Sequence, residues 1–106
     1  MNIDTATSAL VDNFCKAYMD YRRAQQTESL DVFLRHESDA LEAKLALMDR
    51  LCEVKCAKLA DHRKRADALT HTQHEKADMR RLLMAMRPAW VEQALRRESS
   101  SGLVPA

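Results

Sequence analysis

Apolar side chains return at three- and four-residue steps through most of the chain. In residues 4–24, Ala6, Leu10, Phe14, Ala17, Tyr18 and Tyr21 share one stripe while Asp12, Lys16, Asp20 and Arg23 lie off it, which predicts a first amphipathic helix. Asp4 or Thr5 is placed to cap it. Residues 25–29 interrupt the pattern, and Ser29 or Thr27 can accept a bond from the free amides of a second helix whose first turn carries Asp31. So short a connection makes the two helices antiparallel neighbours.

The second helix carries the strongest pattern. Leu41, Leu45, Met48, Cys52, Lys55, Leu59, His62, Ala66 and Leu69 alternate in steps of four and three, the seam of a coiled coil. Beside the seam, Ala46, Leu47, Leu51 and Val54 widen the apolar face as far as position 54, and beyond it the face narrows to isolated leucines and alanines among charges. The spacing predicts one long helix over 29–70, roughly 60 Å at about 1.5 Å per residue, which overhangs the first. A break is expected at 70–72, where Thr70-x-x-Gln73 and Thr72-x-x-Glu75 have the form of capping boxes; the alternative is a rod continuing to Arg87.

Met79, Leu82, Leu83 and Met86 form a stripe that predicts a third helix over 73–87. Pro88 suits a first helical turn, so a fourth helix is expected over 88–98, with Trp90, Val91, Ala94 and Leu95 folding back on the core. Residues 99–106, Ser-Ser-Ser-Gly-Leu-Val-Pro-Ala, resemble an expression-vector linker and are expected to be a flexible tail outside a single domain of residues 1–98.

Composition narrows the fold class. One glycine, Gly102, and two prolines, Pro88 and Pro105, leave residues 1–87 without either breaker, so glycine-rich phosphate loops, tight hairpins and nucleophile elbows are excluded. The expectation is an all-α antiparallel helical hairpin or small bundle with one long coiled-coil-like central helix.

The net charge of +1 conceals an asymmetry: residues 1–50 hold nine acids and six bases, residues 51–106 seven acids and eleven bases. Lys55, Lys58, Arg63, Lys64 and Arg65 are the densest basic stretch, and Lys58, Arg63, Lys64 and Arg65 are the candidate phosphate contacts of a nucleic-acid-binding regulator. Asp61 and Asp67 also allow a plainer reading as a solvated helix face. Cys52 and Cys56, four apart, with His71 and His74, three apart, are weak candidate ligands for a soft metal, although Cys52 lies on the seam, where a small apolar group is the usual occupant. Glu75-x-x-Asp78 resembles half of the magnesium motif of all-helical nucleotide pyrophosphohydrolases; the upstream Glu-x-x-Glu half is absent, so no catalysis is expected.

Three cysteines, with no apolar leader in the first fifteen residues, point to a reducing cytoplasm. The longest apolar run, 82–86, is far short of the roughly 20 residues of a membrane span. The best reading is a non-enzymatic protein–protein interaction module, a small adaptor, chaperone-like or accessory protein without cofactor. It would form a homodimer through Leu41, Leu45, Met48, Leu59 and Leu69, and would meet an unidentified protein partner through Met84 and Trp90. A nucleic-acid-binding regulator is the second reading and a thiol–histidine metal sensor the third.

Overall fold

A computed structural model describes residues 4–103, with side chains through residue 99. Four helices follow one another: α1 (Thr5–Ala24), α2 (Leu30–Ala57), α3 (His62–Ala85) and α4 (Ala89–Leu103). The all-α hairpin expected from periodicity is present. The Asp4 carboxylate caps α1 by accepting from the Thr7 amide at 2.7 Å, and the Ser29 hydroxyl caps α2 by accepting from the Val32 amide at 3.5 Å. Between them Glu28 adopts φ 59°, the left-handed region, to complete the reversal.

The main difference from the sequence expectation lies at 58–61. The helix expected over 29–70 ends at Ala57, and the chain turns at Lys58–Asp61 rather than at 70–72; Thr70 and Thr72 are interior to α3, whose second half is the helix expected over 73–87. No glycine is needed. The amides of Lys58 and Leu59 bond back three residues, to Lys55 and Cys56, which tightens the last turn of α2. Asp61 is extended and its carboxylate accepts from the Arg63 amide at 2.8 Å, while the Arg65 guanidinium donates to the Ala60 carbonyl at 3.2 Å.

Long-range contacts then hold α3 antiparallel to α2. Cys52 Sγ lies 3.8 Å from the Ala68 carbonyl, Lys76 Nζ is 2.9 Å from an Asp49 carboxylate oxygen, and Arg87 forms a bidentate pair with Glu37 at 2.7 and 2.8 Å. Leu41, Leu45 and Met48 lie between Glu37 and Cys52 on one 4-4-3-4 stripe of α2, so that stripe is directed at the chain's own α3. The ladder from Leu41 to Leu69 is therefore not one straight seam: Leu59 sits in the turn and Leu69 on the returning helix.

The core lies toward the α1–α2 loop, where Tyr21, Ala24, Phe33, Ala40, Leu83 and Val91 are buried together. α4 closes this end. Trp90 packs edge-on against Phe33, with ring centroids 5.7 Å apart, and its indole N–H donates to the Gln25 carbonyl at 2.7 Å. Helix α4 continues to Leu103, so residues 99–103 are helical rather than a flexible tail; residues 104–106 of that expected tail lie outside the described part.

At the other end α1 reaches only as far as Arg50, which bonds Asp4 at 3.0 Å and the Thr7 hydroxyl at 3.3 Å. Past Arg50 the molecule is a two-helix arm. That arm accounts for extents of 60 × 27 × 21 Å and a radius of gyration of 17.8 Å, against about 13 Å for a compact chain of this size.

Candidate functional site

Helices α1 and α3 both pack on α2 but do not approach one another backbone to backbone. The gap between them is a groove of about 190 Å³. Ala40 and Leu83 form its floor, Phe14 and Tyr18 one wall, and Met79, Leu82 and Met86 the other. Its one charged lining residue, Lys44, places its ammonium 5.0 Å from the Phe14 ring centre.

The groove exists because the stripes of α1 and α3 are wider than α2 alone can cover. Leu82 retains 53% of its surface and Met86 37%, although both line the groove; Met84, 57% exposed, lies on the far side of α3 from both. In a chain that is 31% charged, such a concentration of exposed large apolar groups is not ordinary surface. Periodicity alone assigned Phe14, Tyr18, Met79, Leu82 and Met86 to stripes without showing that they face a gap. Lys44 carried no signal beyond being a lone cation within an apolar stretch.

The sequence-predicted residues fare unevenly. Met84 is exposed as expected. Trp90 is half-buried, packs on Phe33 and donates to the Gln25 carbonyl, which holds α4 in place. Leu41, Leu45 and Met48 are half-buried along the α2–α3 stripe, Leu59 is half-buried in the turn, and Leu69 is 54% exposed on the arm.

Cys52 and Cys56 come together with their sulfurs 3.9 Å apart, but they point at the Ala68 and Arg65 carbonyls of α3. Desolvation, followed by the neighbouring Cys52 sulfur, pushes the Cys56 thiol pKa up, which favours the neutral thiol. His71 is exposed and contacts Glu75 at 2.7 Å, and His74 is exposed on the same helix. The four are not gathered into one site, and among the described residues no group of three or more His, Cys, Asp or Glu side chains could hold a metal. Glu75 and Asp78 of the half-motif are each engaged within α3, by His71 and Arg81.

A second, polar cleft of about 440 Å³ runs along the opposite side of α1 and α2, with Lys16, Asp20, His36, Asp39 and Glu42 among its lining residues. It is open and of mixed charge. Of its carboxylates, Asp20 is paired with Arg23 at 2.6 Å.

The basic residues cluster at the arm's end. Lys55, Lys58, Arg63 and Lys64 are exposed, whereas Arg65 is half-buried and bonds Ala60, so it braces the turn. No helix of the described residues is long and apolar enough to cross a membrane. Compared with known proteins, the chain matches no protein-family model, no curated protein sequence and no solved structure.

Proposed function

We propose that this chain is a non-enzymatic helical interaction module, a small adaptor or accessory protein of the cytoplasm, which self-associates through the α1–α3 groove. One observation carries the reading: a groove walled by Phe14, Tyr18, Met79, Leu82 and Met86 lies open, with Leu82 and Met86 of its wall still exposed. Helices α1, α2 and α3 leave an apolar seat that α4, packed at the loop end of α2, does not fill. The occupant best supported is a second copy of this chain. Leu82 and Met86 are both the α3 wall of the groove and its exposed apolar groups, so under a two-fold axis the α3 wall of each copy can enter the groove of the other. Pairing through the seam is less well supported, because Leu41, Leu45 and Met48 are directed at the chain's own α3. The three cysteines are free thiols, which fits a reducing compartment.

Covering what remains exposed of Leu82 and Met86 contributes about 1 kcal/mol per side chain, or about 4 kcal/mol for two copies, roughly a thousandfold in dissociation constant. The test is light scattering on the intact chain, which should report twice the 12.1 kDa chain mass. Leu82→Asp or Met86→Asp should return it to the monomer with its helical circular dichroism retained, and Leu69→Asp on the arm should change nothing. A monomeric wild type at about 100 μM, or a dimer that survives Leu82→Asp, overturns the proposal. So does a dimer lost only with Leu69→Asp.

A further inference from the structure

The arm beyond Arg50 takes no part in the groove, yet its end holds the densest charge in the chain: residues 55–65 include five cations and one acid, Asp61. The Asp61 carboxylate is already turned inward to the Arg63 amide at 2.8 Å. Lys55, Lys58, Arg63 and Lys64 form no ion pair among the described residues, whereas in the body Arg50, Lys76 and Arg87 each have a carboxylate within 3.3 Å. Within residues 55–65 the apolar residues are small or half-buried, namely Cys56, Ala57, Leu59 and Ala60; the exposed Leu51 and Leu69 lie outside that run. Such a surface recognises a partner through charge and offers little area for a hydrophobic anchor.

We propose that this end of the α2–α3 arm binds the phosphate backbone of a nucleic-acid duplex through Lys55, Lys58, Arg63 and Lys64, without reading its sequence. A duplex is favoured over a single strand because no Phe, Tyr or Trp occurs between Phe33 and Trp90, so the arm lacks the large aromatic platforms on which successive unpaired bases stack. It is favoured over a lipid surface because the exposed leucines of the arm, Leu51 and Leu69, lie a full turn before Lys55 and after Arg65, outside the run of cations. The cations suit phosphate oxygens, and no Asn or Gln occurs between 27 and 72 to read adenine. Arg65 is a positioning residue that holds the turn through Ala60. The proposal does not depend on self-association.

The test uses the intact chain and a fluorescent mixed-sequence DNA duplex of about twelve base pairs, short enough to engage one arm, with anisotropy followed from about 50 to about 200 mM salt. Four phosphate contacts predict a slope of about −3.6 in log K against log salt, close to a 150-fold loss over that range. Lys58→Ala with Lys64→Ala should reduce the slope to about −1.8 while leaving the melting temperature unchanged. Arg96→Ala with Arg97→Ala on α4 should leave binding as it was. Absence of binding at the lowest salt, indifference to the Lys58 and Lys64 changes, or tighter binding to the single strand than to the duplex would overturn the proposal. Preferential capture of the chain by phosphatidylserine vesicles would overturn it too, assigning the arm to a membrane surface.

Discussion

The Glu37–Arg87 pair is the contact whose removal should be most informative about the fold. The two side chains retain only 11% and 14% of their exposure, and the guanidinium Nε and Nη2 donate to separate carboxylate oxygens at 2.8 and 2.7 Å. The pair ties the middle of α2 to the residue between α3 and α4, so it fixes the return of both helices. Hydrogen bonding to Glu37 pushes the Arg87 pKa up. Replacing one partner strands the other in a desolvated site. Full burial makes that cost about 3–5 kcal/mol, and the residual solvent contact here places Glu37→Leu near the lower end, about 3 kcal/mol. With an m-value of about 1.5 kcal/mol/M, the urea midpoint should fall by about 2 M. The double variant Glu37→Leu/Arg87→Met removes both charges and should recover most of that loss, costing far less than the sum of the two single variants. Because the folded Arg87 pKa is raised, its contribution is complete below the ordinary guanidinium range and is lost only in strong alkali, so the deficit should be constant between about pH 5 and 9. Two single variants each within about 0.5 kcal/mol of wild type, with an additive double, would refute the role given to this pair.

Other consequences can be checked by the same unfolding assay. The Tyr21 hydroxyl is buried without a hydrogen-bond partner, so Tyr21→Phe should leave stability unchanged or raise it by about 1 kcal/mol; a clear loss would mean that the hydroxyl is satisfied. Glu28→Gly removes a side chain from a left-handed position and should stabilise by about 1 kcal/mol, whereas a loss would place Glu28 in an ordinary conformation. Trp90→Phe keeps an aromatic ring against Phe33 but orphans the Gln25 carbonyl, so it should cost about 1–2 kcal/mol and speed amide exchange in α4 before the other helices. The Thr7 amide, then the Thr7 side chain, hold the Asp4 carboxyl below its ordinary range. The cap should therefore persist above that range and fail as pH falls through the lowered value, seen as amide exchange at the start of α1; Asp4→Asn should remove this pH dependence.

Much of the fold was legible in the sequence because three- and four-residue periodicity, with Asp4 and Ser29 as caps and Pro88 before the last helix, reports local structure directly. The turn at 58–61 was not legible. The heptad pattern runs through it without a phase change, and neither glycine nor proline marks it. What decides the break is tertiary: Asp49 and Glu37 find Lys76 and Arg87 only if the chain reverses there. A faint sign was present in the two polar seam positions that flank it, Lys55 and His62, and in Asp61, a cap residue inside a supposed helix. The same cause hid the candidate site. A stripe such as Met79, Leu82 and Met86 reads alike whether it meets a core or a gap, and only the spacing of α1 and α3 across α2 distinguishes the two. With Leu45 on the stripe directed at α3, Leu45→Asp would disrupt the hairpin itself and say nothing specific about association.

Groove and arm both exist because the chain reverses at Lys58–Asp61. Spin labels at Glu42→Cys and Arg80→Cys, in a Cys15→Ser/Cys52→Ala/Cys56→Ala background and diluted in excess unlabelled chain, measure that reversal within one molecule. Glu42 on α2 and Arg80 on α3 are both exposed, so labelling them leaves the Asp49–Lys76 and Glu37–Arg87 pairs in place. The predicted result is an intramolecular distance set by neighbouring packed helices, about 10 Å between axes plus the label arms. A distance of about 57 Å, the length of about 38 residues of uninterrupted helix, would contradict it and restore the continuous rod.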